Sequence, residues 1–146
     1  KKILDQNPDT AVLLPLHHNP KVRKPLQALL GNDSRIFLAD PLDYHLFLAV
    51  IRDCTLVITD SGGLQEEASA FGKSVLVLRT VTERPEAIQA GMAVLVGTNP
   101  SLIVSEANRL LQNSNSYIQI AKSPSPFGDG HASKRILMAS LAFLGL

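Results

Sequence analysis

The sequence holds one cysteine, Cys54. A lone thiol excludes an internal disulfide framework and any cysteine-based zinc cluster. Beside the apolar run at 56–58 it reads as a buried packing residue. No apolar run approaches the roughly 18 residues of a membrane helix, and no charged-then-apolar leader opens the chain. There is no repeat and no low-complexity tract. The four histidines, His17, His18, His45 and His131, form no HxxxH pattern and no cluster with carboxylates, so a metal site is not expected. A net charge of +1 gives no global attraction to nucleic acid or a membrane surface. Any anion site must be local. The expectation is a soluble cytoplasmic protein with neither nucleic acid nor membrane as partner.

What is present is a globular composition, 45% hydrophobic and 18% charged in 146 residues. That length fits one domain, residues 1–146, with a real core. The opening Lys1-Lys2-Ile3-Leu4 reads as the last turns of a helix closed by Asn7-Pro8-Asp9. Domains rarely start on a helix tail, so the chain is expected to be a piece of a longer protein.

Strands are expected at residues 11–16, 35–39, 55–59, 74–78 and 93–96. Between them lie helical patterns. The first is capped by Asn19-Pro20, stopped by Gly31, and carries Val22, Leu26, Leu29 and Leu30 on one face, with Pro25 able to shorten or kink it. The second spans 42–52 with Leu46, Phe47, Val50 and Ile51 as core candidates. The third follows Gly62-Gly63 with Leu64, Ala68 and Phe71, and a fourth opens at Pro85. After the last strand, Asn99-Pro100 caps a helix with Leu102, Ile103, Ala107, Leu110 and Leu111 inward. A short helix is expected over 113–122, a loop over 123–130, and a closing helix over 131–144 with Ile136, Leu137, Ser140 and Phe143 inward. Alternating strands and helices with buried-type strands predict an α/β fold, a doubly wound, mostly parallel open sheet of Rossmann-like type.

Ligands of such sheets sit outside the carboxyl ends of the strands. The expected ends carry His17-His18, Asp40-Pro41, Asp60-Ser61-Gly62-Gly63, Arg79 to Arg84, and Gly97-Thr98. Ser61-Gly62-Gly63 opens a helix, where free N–H groups collect an anion and no side chain blocks it. The plain alternative is a capped tight turn. Glu66 and Glu67, placed in the first turn, suit the helix dipole or accept bonds from ribose hydroxyls. Arg79 and Arg84 can pair with a phosphate, or Arg84 simply with Glu83 or Glu86. His17 or His18 can donate to a leaving diphosphate. Phe47 reads first as core, with stacking on a base as the alternative. Asp129 reads as a helix cap.

The segments PLHHNPKVRKP (15–25), TDSGGLQEEASAFGKSVLVLRTVTERPEAIQAG (59–91), LVGTN (95–99) and PFGDGHASKRI (126–136) resemble the C-terminal domain of bacterial non-hydrolysing UDP-N-acetylglucosamine 2-epimerases. They cover nearly the whole chain. The resemblance departs at His18, where an apolar residue is usual, at Ser69-Ala70 for Pro-Ser, and at Ser125 and Phe127 for Asn and Tyr. It implies the C-terminal half of a two-domain fold similar to GT-B glycosyltransferases, with UDP-sugar in the cleft. The implied reaction eliminates UDP to leave 2-acetamidoglucal and adds UDP back after reprotonation of C2 on the other face. That interconverts UDP-GlcNAc and UDP-ManNAc, for surface polysaccharides, with no cofactor or metal. It implies Ser61, Gly62 and Gly63 as the diphosphate cradle and Glu67 on the ribose. Arg84 falls on the phosphate side, His17 on the leaving diphosphate and Phe47 on the uracil side.

The acidic residues for the C2 proton are implied to lie in an N-terminal domain outside this chain, as is this domain's own first strand. The full-length family members are usually homodimers. Alternatives on the same residues are a hydrolysing epimerase releasing ManNAc and UDP, a GT-B glycosyltransferase, and a non-catalytic UDP-binding module.

Overall fold

Short apolar strands alternate with helices throughout the computed structural model, which describes residues 1–113 and 124–145. The strands are β1 (Val12–Pro15), β2 (Ile36–Ala39), β3 (Leu56–Thr59), β4 (Ser74–Val77) and β5 (Ala93–Leu95). The helices are α1 (Lys2–Gln6), α2 (Pro20–Leu30), α3 (Tyr44–Asp53), α4 (Gly62–Ala70), α5 (Pro85–Gln89), α6 (Pro100–Gln112) and α7 (Ala132–Leu144). Local chemistry sets several of their starts. Asn19 Oδ1 accepts from Lys21 N at 2.9 Å, Asp43 Oδ1 from Leu46 N at 3.0 Å and Asn99 Oδ1 from Ser101 N at 3.0 Å. Each satisfies an N–H that the helix itself leaves open. Pro20 and Pro100 follow two of these caps, where the missing N–H costs nothing. Pro25 sits inside α2, which still runs to Leu30.

All strand pairs are parallel, as expected of this α/β, Rossmann-like class. Val57 and Thr59 of β3 lie opposite Val75 and Val77 of β4, which lie opposite Ala93 and Leu95 of β5. All four β4 residues are buried, marking it as the central strand. Its alternation serves two layers. Val75 and Val77 join Ile51, Ala68, Ala87 and Ala93 in one cluster, covered by α3, α4 and α5. Leu76 joins Val96, Ala107 and Leu110 in the other, covered by α6, with Ile3 of α1 packed against it. That is double winding around β4. Phe127 returns from the far end of the chain to pack on the first cluster.

The expected single sheet is in two pieces. β1 and β2 pair only with each other, Val12 opposite Ile36 through Pro15 opposite Ala39, while β3, β4 and β5 form the second sheet. Among the described residues no strand joins β1 to β3. Helix α1 links the two halves instead. Arg35 Nη1, just before β2, donates to Leu4 O at 2.6 Å, and Asn7 Nδ2 donates to Asn108 Oδ1 of α6 at 2.7 Å.

Several expected core faces are exposed. Helix α2 buries no residue, with Val22 and Leu29 open to solvent. On α7, Ile136, Leu137 and Ser140 are exposed and Phe143 is 90% exposed. An apolar stripe requires a partner element, and among the described residues none covers these two. On α3, Ile51 is buried but Leu46 is exposed. Phe71 is the C-cap of α4, beyond the last helical turn, and so leaves the stripe. The buried face of α4 is Gln65, Ala68 and Ser69. Cys54 is only half-buried, and that burial pushes its thiol pKa up. The helix expected over 113–122 lies outside the described residues from 114 on. No helix among the described residues is long and apolar enough to cross a membrane.

Candidate functional site

Parallel register puts the carboxyl ends of β3, β4 and β5 on one edge of their sheet. The loops leaving that edge are Asp60-Ser61, residues 78–84, and Val96-Gly97-Thr98. They touch one another, Gly97 N donating to Arg79 O at 3.2 Å. A cavity of about 420 Å³ opens between residues 78–81, Glu83 and Gly97-Thr98.

At the end of β3, Thr59 Oγ1 accepts from Ser61 N at 3.0 Å and turns the chain into α4. Ser61 is the N-cap residue, yet its side chain makes no capping bond. The first-turn N–H groups of α4 are therefore not closed by that side chain, and the positive end of the helix dipole faces outward. Gly62 and Gly63 follow as the first two helical residues. Neither has a positive φ. A Cβ at Gly62 would meet no atom within 4 Å, and one at Gly63 only Ser61 Oγ, at 4.0 Å. Nothing in the fold requires glycine at either position, although glycine in a helix costs about 1 kcal/mol relative to alanine.

Arg84 comes from the loop after β4. Its Nε donates to the Glu66 carboxylate on α4, Nη1 donates to Glu83 O at 3.0 Å, and its own N–H donates to Thr82 Oγ1 at 3.1 Å. Its carboxylate partner is thus Glu66, neither Glu83 nor Glu86. Glu83 is held by Arg79, at 2.7 Å. A bond from its own backbone N–H and the Arg79 charge hold the Glu83 carboxyl below its ordinary range. Arg84 remains partly open, with a third of its side chain exposed. It therefore retains donors for a further anion. Glu66 and Glu67 lie one turn into α4, with no acidic residue in its first turn. They serve loop and neighbouring helix, not the dipole.

Glu67 faces α3. Interaction of its carboxylate with the Tyr44 hydroxyl, and the carboxylate charge, raise the phenol pKa. Tyr44 is the first residue of α3, and Phe47 follows one turn later. Phe47 packs, half-buried, on the cluster containing Ala68, the neighbour of Glu67. Core packing and a partly open ring are both true of Phe47. The start of α3 and the middle of α4 thus form one wall carrying Tyr44, Phe47 and Glu67.

His17 stands apart. It is exposed beyond β1, in the other sheet, and its Nδ1 accepts from Asn19 N at 3.0 Å. The neutral ring then carries its proton on Nε2, an outward-facing donor. No hydrogen bond or ion pair among the described residues joins His17 to the α4 cluster. Nearby, Arg23 pairs with Asp40 and holds that carboxyl below its ordinary range. Asp129 accepts from His131 N at 3.1 Å at the start of α7 and also pairs with Arg135. Sequence reasoning missed Tyr44, Gln65, Glu66 as the Arg84 partner, and Thr82. Gln65 had one signal, a polar side chain three and four residues before Ala68 and Ser69 on one face.

A doubly wound parallel sheet with an open helix start on its carboxyl edge defines a Rossmann-like α/β domain. The chain belongs to the UDP-N-acetylglucosamine 2-epimerase family, whose profile matches residues 1–140. It is 44% identical over 138 residues to the UDP-N-acetylglucosamine 2-epimerase of Yersinia pestis, covering 94% of this chain and 37% of that protein. With the Escherichia coli K12 enzyme of the same name it shares 46% over 131 residues, covering 90% and 35%. Among solved structures, S. aureus MnaA with UDP superposes with a TM-score of 0.88 at 42% identity, covering 99% of this chain and 39% of that one. The Neisseria meningitidis UDP-GlcNAc 2-epimerase bound to UDP-GlcNAc gives 0.87 at 39%, covering 97% and 38%. The chain spans little more than a third of the length of these relatives.

Proposed function

We propose that the chain is the C-terminal, UDP-binding domain of a non-hydrolysing UDP-GlcNAc 2-epimerase, spanning 1–146. The N-terminal domain and the first strand of this domain lie in sequence outside it. The observation that carries the UDP site is the pair Gly62 and Gly63. They start a helix with no side-chain cap, at positions where the fold has room for a side chain and gains nothing from its absence. A ligand pressing on the backbone N–H groups explains both.

On this reading the N–H groups of the α4 start hold the diphosphate and Ser61 contributes its unused hydroxyl. Arg84 supplies a charged donor from the facing loop. Glu67 accepts from the ribose hydroxyls and Phe47 lines the uracil side. His17 donates through Nε2 to the departing diphosphate. In the reaction the C1–O bond breaks with the electron pair leaving on UDP, and C2 gives up its proton to a base. The 2-acetamidoglucal is then reprotonated at C2 from the opposite face and regains UDP at C1. This chain holds the leaving group, and the C2 proton is handled by the N-terminal domain. The two unjoined sheet edges, β1 and β3, fit an intervening strand from outside the chain. The reading also takes UDP or a UDP-N-acetylhexosamine as ligand, needs no cofactor, and places the full-length protein in the cytoplasm as a homodimer.

Calorimetric titration tests the site. UDP binds the 146-residue chain measurably, and uridine binds at least tenfold more weakly. Equal affinities contradict a diphosphate cradle. A turnover assay tests the division of labour. The isolated chain forms no UDP-ManNAc from UDP-GlcNAc, and measurable product overturns the domain assignment.

A further inference from the structure

We propose that Gln65 and Thr82 are positioning residues that lock the arginine loop after β4 to the first turn of α4. The inference rests on the diphosphate reading above and extends it to residues that touch no ligand. Gln65 is fully buried, and both ends of its amide are used. Nε2 donates to Ser61 O at 3.3 Å, and Oε1 accepts from the Thr82 hydroxyl at 2.7 Å. Thr82 Oγ1 in turn accepts from Arg84 N at 3.1 Å. The relay therefore runs from the backbone of Arg84 through two side chains to the backbone of Ser61.

Its direction is unique. The Arg84 N–H occupies an acceptor site of the Thr82 oxygen, so the Thr82 proton is free to point at Gln65. Reversing the Gln65 amide would set its oxygen against the Ser61 carbonyl, two acceptors facing each other in a site without water access. A buried relay satisfied in one orientation specifies one geometry. It joins two segments 17 residues apart, the one that starts the helix and the one that carries the arginine. With that backbone placed, the ion pair of Arg84 with Glu66 and its Nη1 bond to Glu83 O fix where its remaining donors point.

The test uses Thr82, because it is only half-buried and valine replaces it without opening a cavity. Two readouts are taken on the full 146-residue chain, UDP affinity by calorimetry and the Arg84 Nε–H proton resonance without ligand. In the unaltered chain that resonance, held by Glu66, is expected to exchange slowly with solvent. Thr82→Val is expected to lose the slow signal and to weaken UDP binding about tenfold, while the methyl spectrum of the core stays unchanged. Thr82→Ser keeps the hydroxyl and stays within about twofold. Unchanged affinity and a retained Arg84 signal in Thr82→Val overturn the inference. If the unaltered chain binds no UDP, the diphosphate reading fails. The Arg84 signal then decides the positioning alone, its loss in Thr82→Val supporting the relay and its retention overturning it.

Discussion

Arg84 and Glu66 are 18 residues apart in sequence and form an ion pair across the edge of the sheet, Arg84 Nε on the Glu66 carboxylate. The pair holds the guanidinium on one side and leaves it partly exposed on the other. A charge-assisted hydrogen bond contributes about 1.5–3 kcal/mol. Arg84→Ala is therefore expected to weaken UDP binding about thirtyfold in calorimetric titration. Arg84→Lys keeps the charge but loses the planar fork that serves two partners, and about a tenfold loss is expected. Affinities equal to the unaltered chain would place the phosphate elsewhere.

The glycine pair makes a prediction in which stability and binding move in opposite directions. A Cβ at Gly62 or Gly63 meets nothing in the protein that it would displace. Gly63→Ala is expected to raise stability by about 0.5–1 kcal/mol, measured by thermal unfolding. The same methyl projects where a ligand must approach the backbone, so UDP affinity falls at least tenfold. Loss of stability with intact binding would mean that the glycines serve the fold.

Phe47 separates core from ligand. Phe47→Leu keeps an apolar side chain against Ala68 and its neighbours, and because the ring is only half-buried it removes less packing than truncation to alanine. Removing the ring removes the surface offered to a base. Binding of UDP is expected to weaken several-fold while binding of inorganic pyrophosphate is unchanged. Parallel losses for both ligands would assign Phe47 to packing alone.

Tyr44 reports on Glu67 through its titration. The protonated phenol is favoured beside the carboxylate, whereas the phenolate would face it as a second anion. The proton is held more tightly, so the pKa is raised above the ordinary phenol range. Of the two tyrosines, Tyr117 can be exchanged for phenylalanine to isolate the signal. Tyr44 is then expected to ionise above the ordinary range by ultraviolet titration, and Glu67→Gln to bring it down. Since the raised pKa is in the folded state, any stability it contributes is present below the unfolded pKa and lost as pH rises through the folded one.

Much of this was legible before the fold was seen. The strand and helix order follows from apolar runs broken by Asn-Pro, Gly-Gly and Pro, each with a local physical meaning. The helix start at Gly62 and the position of Arg84 after a strand are local as well. What local pattern could not supply is what meets what. Glu83 and Glu86 are the near neighbours of Arg84 in sequence, but the return of the loop onto α4 gives it Glu66. The stripes of α2 and α7 show that these helices have an apolar face, and say nothing of what covers it. Gln65 is the clearest case, since a buried amide is intelligible only once Ser61 O and the Thr82 hydroxyl are seen at its two ends.

The claim that the start of α4 holds a diphosphate is tested most directly by nitrogen–proton NMR of the 146-residue chain during titration with UDP. Saturable shifts are expected to concentrate on the amides of Gly62, Gly63 and Leu64 and on Arg84 Nε. Saturable shifts confined to the cavity between Thr80 and Thr98, with the glycine amides unmoved, would contradict it.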